Sequence, residues 1–239
     1  MSATPQIGAF FDLDGTLLPE PSLEWRFIAY LLSRDEITTA NVLRWLGRCA
    51  TAFPRSPHAA FEANKVYLAG VRESLAADWQ KSAGFDSLPV FLGGLSRIAW
   101  HISRRHQIFL ISGTLASLAR AVADDLQGRI EVVATELEAC GGYWTGEIAG
   151  EHISSKEKAR AVRDLAVRHN LQLKQSYAYG DQVSDLPMLE SVGQPAAVNP
   201  SARLARVARL RGWPVLDWKA MRSAPHREQA SWLSPKEAR

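Results

Sequence analysis

The chain has 239 residues, of which 46% are hydrophobic and 22% charged, a balance typical of a globular protein with a substantial core. This composition excludes a disordered chain, a fibrous repeat and a small disulfide scaffold. The net charge of +3 raises the question of nucleic-acid binding. The late arginines, however, alternate with Leu204, Val207 and Leu210, as on the solvated face of an amphipathic helix, so the sequence argues against a nucleic-acid partner.

The sequence predicts a cytoplasmic protein without a membrane span. No apolar run approaches the roughly 20 residues that cross a bilayer, and residues 1–6 lack the basic and apolar features of a signal peptide. Cys49 and Cys140 are far apart and form no Cys-x-x-Cys pair, so we interpret them as thiols in a reducing compartment rather than as a disulfide. Nothing in the sequence points to a particular oligomeric state.

Four short apolar runs each end in a small or acidic residue, which is typical of strands buried on both faces. These runs cover residues 7–11, 108–111, 177–179 and 196–198. Helical spacing of apolar residues predicts helices over residues 114–126, 155–169 and 185–192, and another that begins at Pro200. This alternation predicts an α/β fold, a Rossmann-like parallel sheet with helices on both faces.

Residues 20–86 break the alternation. Their periodicity predicts successive helices over residues 23–32, 38–48, 58–68 and 71–82, rich in aromatic residues that would fill a small bundle. A block inserted after the first strand lies above the carboxyl edge of the sheet, where a lid would exclude water. We predict a catalytic core of residues 1–20 and 87–222, an all-helical cap domain of residues 21–86 and a C-terminal tail of residues 223–239 that frays. An irregular stretch, residues 131–148, is predicted to turn as a hairpin at Gly141-Gly142.

The segment Phe11-Asp12-Leu13-Asp14-Gly15-Thr16 follows the first predicted strand. Two carboxylates spaced by two residues point in related directions from a bend that Gly15 can relax. Like charges so close raise a pKa unless a cation compensates, and Mg²⁺ is a cation that prefers oxygen ligands. The alternative is a turn in which one Asp caps the next segment.

Three further segments add polar groups at the same edge. Ile111-Ser112-Gly113-Thr114, at the predicted junction of a strand and a helix, offers a hydroxyl and N–H groups to a phosphate, or simply caps the helix. Ser155-Lys156-Glu157-Lys158 opens a helix from which a lysine can reach a phosphate oxygen, although most lysines are solvated. Gly180-Asp181-Gln182-Val183-Ser184-Asp185 adds two carboxylates, of which the second could instead cap a helix.

These four motifs, in this order, resemble those of the haloacid dehalogenase superfamily, and the helical block after the first strand is similar to that of its phosphoserine-phosphatase-like branch. The resemblance runs from Asp12 to the Asn199-Pro200 turn. It implies a Mg²⁺-dependent phosphatase, a phosphoric monoester hydrolase that cleaves a small organic phosphomonoester through an aspartyl-phosphate intermediate.

The resemblance also implies catalytic and metal-binding roles. Asp12 would be the nucleophile, and Asp14 the general acid and base. Asp12, the backbone carbonyl of Asp14 and Asp181 would hold Mg²⁺. Asp185 would support them by holding a metal-bound water or by orienting a lysine.

The phosphate contacts follow from the same resemblance. The Ser112 hydroxyl and the N–H groups of Leu13 and Gly113 would bind the phosphoryl oxygens, and a lysine would offset the crowded negative charge. Lys158 fits the family pattern better than Lys156, because Ala159-Arg160-Ala161-Val162 follows it.

Two departures from the phosphoserine phosphatases bear on the substrate. Thr114 stands where they usually have a second glycine, and Pro21 stands where they have the cap glutamate that recognises the amino group of phosphoserine, with Glu20 and Glu24 nearby. These differences argue against phosphoserine and leave a larger organic phosphate open. The alternatives are a phosphotransferase or mutase with the same intermediate and, more remotely, a receiver-like or non-catalytic phosphate-binding protein.

Overall fold

The computed structural model describes residues 5–52, 64–126, 130–219 and 223–225. Its strands, in chain order, are β1 (Gly8–Phe11), β2 (Pro89–Phe91), β3 (Gln107–Leu115), β4 (Ile130–Thr135), β5 (Leu137–Cys140), β6 (Tyr143–Ile148), β7 (Tyr177–Gly180), β8 (Gln194–Val198), β9 (Val215–Leu216) and β10 (Ser223–Pro225). Its helices are α1 (Leu23–Leu32), α2 (Thr39–Ala52), α3 (Ser74–Gln80), α4 (Ala83–Asp86), α5 (Leu92–Ser103), α6 (Ala116–Asp125), α7 (Lys156–Arg168), α8 (Leu186–Leu189) and α9 (Ala202–Leu210). Short 3₁₀ turns cover Val66–Leu68, Leu173–Gln175 and Val183–Asp185.

Six strands form a parallel sheet in the order β4-β3-β1-β7-β8-β9. β1 lies between β3 and β7, with Phe10 opposite Phe109 and Ala178. All four residues of β1 are buried, and successive side chains enter two core clusters, Ala9 and Phe11 in one and Phe10 in the other. A central strand buried on both faces confirms the predicted Rossmann-like α/β fold.

Two segments differ from the sequence-based expectation. Residues 130–135, expected to be irregular, form β4 at the edge of the sheet, because an edge strand is only half-buried and its polar residues interrupt the apolar run. Residues 223–225, expected to belong to a frayed tail, pair antiparallel with β2. The predicted hairpin is confirmed, since β5 and β6 pair antiparallel across Gly141 and Gly142, which both have positive φ.

The regular elements among the described residues between β1 and β2 are α-helices and one 3₁₀ turn. Of the predicted helix over residues 58–68, residues 58–63 lie outside the described residues. The end of this segment forms the 3₁₀ turn Val66–Leu68. The predicted helix over residues 71–82 is shorter, Ser74–Gln80. None of the helices in the described ranges combines the length and hydropathy of a bilayer span.

Helix α1 is fixed by aromatic packing. Its buried Phe27 lies 5.4 Å from the ring of Trp79 in α3 and 6.0 Å from that of Trp144 in β6. The start of α1 is capped by Ser22, whose side chain accepts a hydrogen bond from the Trp25 N–H. The helix that follows the first catalytic motif is therefore held against the hairpin of β5 and β6.

Asn199 anchors the loop after β1. Its φ of +45° lies in the left-handed region, which asparagine adopts more readily than most residues. Its Nδ2 donates to the carbonyl of Gly15 at 3.1 Å, and its Oδ1 accepts from the N–H groups of Trp218 and Lys219 at 2.8 and 3.1 Å. One side chain thus joins the loop that carries Asp14 to the segment after β9.

We expect Asn199→Gly to lower the free energy of unfolding by about 1–3 kcal/mol, because three hydrogen bonds are lost. Asn199→Ala should cost about 1–2 kcal/mol more, because alanine resists the left-handed conformation that glycine accepts. Urea denaturation of both variants measures the difference. An alanine variant as stable as the glycine variant would contradict the role assigned to the backbone conformation.

Candidate active site

The carboxyl ends of β1, β3 and β7 open onto one cavity of about 570 Å³. Parallel strands end at the same edge, so residues distant in sequence meet there. The predicted site residues that line this cavity are Asp12, Asp14, Ser112, Gly113, Lys158, Asp181 and Asp185. The remaining one, Leu13, has its side chain in the core, and its backbone N–H lowers the pKa of the neighbouring Asp12 carboxyl.

Lys158 is the buried cation of the site. Its Nζ lies 2.5 Å from Asp12 Oδ1 and 2.6 Å from Asp185 Oδ1. Burial opposes its charge, but the two carboxylates outweigh burial and raise the pKa of Lys158 above its ordinary value. Lys156 is exposed in the first turn of the same helix, so Lys158 is the lysine of this pair that reaches the carboxylates.

Asp12, Asp181 and Asp185 each place a carboxylate oxygen within 4.8 Å of the others, and all three are buried. Asp181 Oδ2 accepts a hydrogen bond from Gln182 at 2.8 Å, whereas its buried Oδ1 has no hydrogen-bond partner among the described residues. A buried carboxylate oxygen without a partner is costly, and clustered carboxylates are the ligands that Mg²⁺ prefers. The donor set therefore fits a hard divalent cation.

The hydrogen bonds of Asp185 distinguish it from the other two carboxylates. Its Oδ1 accepts from Lys158, and its Oδ2 accepts from the N–H groups of Asp181 and Gln182 at 3.0 and 2.9 Å. It thus caps the 3₁₀ turn Val183–Asp185 and holds the lysine at the same time. Because three donors engage both oxygens of Asp185, Asp181 is better placed to face a cation, since its Oδ1 has no hydrogen-bond partner among the described residues.

Burial shifts the acidities of the cluster. It raises the pKa of Asp12 to about 6, against the opposing charge and hydrogen bond of Lys158. It raises the pKa of Asp181 to about 8, to which the negative charges of Asp12 and Asp185 also contribute. A divalent cation among these groups would favour their ionised forms.

Asp14 lines the cavity beside the cluster. Its Oδ1 accepts a hydrogen bond from the N–H of Leu23, the first residue of α1, at 2.6 Å. Burial raises the pKa of Asp14 to about 7, the Leu23 hydrogen bond lowers it, and the charges of Asp12 and Glu24 raise it further. A carboxyl group that is half protonated near neutral pH can both give and take a proton.

Ser112 and Gly113 lie within a strand rather than at the start of a helix, which corrects one expectation. β3 continues to Leu115, with a shift of register between Ser112 and Leu115, and α6 begins at Ala116. The Ser112 hydroxyl oxygen is buried in the site and accepts the Thr114 N–H at 3.2 Å. The irregularity bends the strand end, so these groups face the cavity without help from a helix terminus.

Two glycines allow the backbone to approach the carboxylates. Gly15 has a φ of +79°, and a Cβ there would lie 2.3 Å from Asp181 Oδ2. A Cβ at Gly180 would lie 2.5 Å from the Cβ of Asp185. The bend attributed to Gly15 from the sequence is confirmed, and its close contact with Asp181 is an additional reason for glycine.

Several residues in and next to the cavity wall were not predicted. The Thr16 hydroxyl donates to Asp12 Oδ2 at 3.1 Å; it lies within a quoted motif but had no assigned role. Three further residues line the cavity as one group: Lys65 Nζ lies 2.6 and 2.7 Å from the two oxygens of Glu24, and the Tyr67 hydroxyl donates to the same carboxylate. The sequence signal for this group was Glu24, three residues after Pro21.

His152 also lines the cavity without having been predicted. Burial, together with the charges of Lys65 and Lys158, lowers its pKa to about 4, so its imidazole is neutral at physiological pH. Its Nδ1 lies 3.1 Å from the Thr135 hydroxyl oxygen. His152 therefore adds a polar but uncharged group to the wall of the site.

Residues 9–190 match the family model of the haloacid dehalogenase-like hydrolases. The chain is 33% identical over 228 residues to the phosphoserine phosphatase SerB1 of Mycobacterium tuberculosis, which covers 90% of this chain and 72% of that protein. A solved structure from Bordetella pertussis, described as a protein with unknown function, has a TM-score of 0.73 and 26% identity over 90% of this chain and 100% of that one. The probable phosphoserine phosphatase of Vibrio cholerae, with a TM-score of 0.63 and 16% identity over 96% of this chain and 67% of that one, shares the fold.

Lys158→Met should lower the free energy of unfolding by about 3–5 kcal/mol, because it leaves the buried carboxylates of Asp12 and Asp185 without their cation. The matched control is Lys156→Met, in the same helix but exposed, which should change stability by no more than about 0.5 kcal/mol. Urea denaturation of metal-free protein at pH 7 measures both. Equal losses for the two variants would contradict the assignment of Lys158 to the site.

Proposed function

The chain belongs to the haloacid dehalogenase-like hydrolase family, and from this membership we propose that it hydrolyses a small organic phosphomonoester with Mg²⁺ through an aspartyl phosphate. It is a phosphoric monoester hydrolase of the phosphoserine-phosphatase-like branch. One observation supports the mechanism above all: Lys158 Nζ lies 2.5 Å from Asp12, in the cluster where Asp181 Oδ1 has no hydrogen-bond partner among the described residues. Family membership also removes the alternative of a non-catalytic receiver-like protein.

Asp12 is the proposed nucleophile. A carboxylate oxygen attacks phosphorus, the bond from phosphorus to the alcohol oxygen breaks, and an aspartyl phosphate forms. Lys158 and Thr16 hold the two oxygens of Asp12 at 2.5 and 3.1 Å, so the carboxylate is oriented before the ester arrives. The charge of Lys158 also offsets the negative charge that the phosphoryl group brings.

Asp14 is the proposed acid and base. In the first step its proton goes to the oxygen of the leaving alcohol. In the second step Asp14 takes a proton from the water that attacks the aspartyl phosphate, which releases inorganic phosphate and restores Asp12. Its pKa of about 7 supports both directions of transfer at neutral pH.

The phosphoryl oxygens have proposed partners on two strands. The Ser112 hydroxyl and the Gly113 N–H at the end of β3, and the Leu13 N–H after β1, would donate hydrogen bonds to them. Asp12, Asp14 through its backbone carbonyl, and Asp181 would hold Mg²⁺. When bound, Mg²⁺ neutralises charge on the transferring group. Asp185 would support the site by orienting Lys158, from which it accepts a hydrogen bond.

The proposal also includes a small-molecule ester as the substrate and a reducing compartment as the location of the protein. The cavity of about 570 Å³ lies in the size range of small-molecule sites. The cytoplasmic location is proposed from the sequence, in which Cys49 and Cys140 are far apart and form no Cys-x-x-Cys pair.

Asp12→Asn should lower kcat for phosphate release by about 10³-fold or more, because an amide is not a useful nucleophile. Asp14→Asn should slow both steps and let phosphoenzyme accumulate, because its amide cannot accept the proton of water. Acid quenching with labelled substrate measures phosphoenzyme and free phosphate separately. If Asp12→Asn, with unchanged unfolding curves, kept a near-native rate, Asp12 would lose its role.

Removal of metal by EDTA should abolish phosphate release, and Mg²⁺ should restore it without any added acceptor, which distinguishes hydrolysis from transfer to another molecule.

A second readout is thermal stability. Because the folded-state pKa of Asp181, about 8, lies above its ordinary 3.8, protonation favours the folded state, and metal-free stability falls as pH rises from about 4 through 8.

Mg²⁺ should therefore raise Tm more at pH 8 than at pH 5, because the ionised carboxylates that bind it are also those that destabilise the metal-free protein. In Asp181→Asn this increase in Tm should largely disappear. Activity that is indifferent to EDTA, or an equal Mg²⁺ effect on Tm in both proteins, would contradict the metal assignment.

A further inference from the structure

The cavity extends from the catalytic carboxylates along large apolar side chains. This apolar wall consists of six residues from α1, α2 and the segment between them: Trp25, Ile28, Leu32, Ile37, Val42 and Trp45. Trp25, Leu32 and Val42 are 63%, 51% and 42% exposed. Large apolar side chains that are grouped and left accessible beside polar catalytic groups are typical of a ligand-binding surface.

Helix α1 carries two distinct apolar faces. Trp25, Ile28 and Leu32 recur at intervals of three and four residues, so they lie on one face. The face that packs into the core is a different one, made of Leu23, Phe27 and Leu31. Packing of the core explains why Leu23, Phe27 and Leu31 are apolar. It does not explain Trp25, Ile28 and Leu32, which leaves a role in the cavity for the apolar wall.

The charged groups on this side of the cavity satisfy each other. Both oxygens of Glu24 accept from Lys65 Nζ, at 2.6 and 2.7 Å, and the Tyr67 hydroxyl donates to the same carboxylate. Lys65 is buried, so an ammonium group of a substrate could bind Glu24 only by breaking a buried ion pair. An apolar group, in contrast, can cover the pair without leaving a charge unpaired.

We propose that the alcohol part of the substrate is an extended apolar group that lies on the apolar wall, so that the enzyme prefers a single-chain alkyl phosphate to a zwitterionic amino-acid phosphate. The inference rests on the proposed function, since a phosphate held between Asp12, Ser112 and Lys158 fixes the end of the cavity from which the alcohol extends. Burial of the chain then supplies the binding free energy that polar contacts do not.

The test compares ethyl, butyl, hexyl and octyl phosphate, each below the concentration at which octyl phosphate forms micelles, with phosphoserine. Phosphate release with Mg²⁺ gives kcat/KM for each. We expect kcat/KM to rise by roughly two- to fourfold per methylene, so that octyl phosphate exceeds ethyl phosphate by at least about fiftyfold. Octyl phosphate should also exceed phosphoserine.

A matched pair of variants on α2 assigns the effect to the apolar wall. Val42→Asp introduces a charge into the wall and should lower the octyl-to-ethyl ratio of kcat/KM by at least about tenfold. Leu43→Asp alters the next residue, which is 68% exposed and does not line the cavity, and should leave the ratio unchanged. Because the ratio compares two substrates of one protein, partial unfolding does not change it.

The outcomes separate the inference from the proposed function. A ratio near one with active enzyme, or a preference for phosphoserine, would overturn the inference and leave the hydrolase proposal standing. Equal effects of the two α2 variants would overturn the assignment to the apolar wall. Failure to release phosphate from every ester in the presence of Mg²⁺ would overturn the proposed function itself, and the inference with it.

Discussion

The pairing of one lysine with two carboxylates organises the centre of this molecule. A buried charge is tolerated only when it has partners, and Lys158 has Asp12 on one side and Asp185 on the other. Asp12 follows β1, Asp185 follows β7 and Lys158 lies in α7, so the pairing forms only when these three elements are packed together. The geometry of the candidate site and the folded structure therefore depend on the same contacts, and Asp181 adds a buried carboxylate oxygen that has no hydrogen-bond partner among the described residues.

The helical block and the sheet meet at the same place. The Leu23 N–H at the start of α1 donates to Asp14, the proposed proton donor, and Glu24 in the next position faces the cavity. The first turn of α1 thus contacts Asp14 through Leu23 and lines the cavity through Glu24. In this arrangement the residue proposed to protonate the leaving group lies beside the helix that lines the cavity.

The sequence predicted the parts of the site that depend on local order along the chain. Asp12, Asp14, Asp181 and Asp185 follow buried strands, and parallel strands bring their ends together whatever the details of packing. The Lys65 and Tyr67 contacts to Glu24 could not be predicted, because they join positions about forty residues apart through helices whose relative placement no motif records. β4 was not predicted because an edge strand needs no continuous apolar run. The apolar wall was not predicted because the spacing of apolar residues does not distinguish a helix face in the core from one that lines a cavity.

Helix α1 uses one face to pack in the core and another to line the cavity. Leu23, Phe27 and Leu31 hold it in place, while Trp25, Ile28 and Leu32 face the cavity. Trp25, Ile28 and Leu32 do not belong to the core cluster that contains Leu23, Phe27 and Leu31, so a substitution on the cavity face removes no member of that cluster. Under the role proposed for the apolar wall, point substitutions on a single helix can therefore change substrate choice without an insertion.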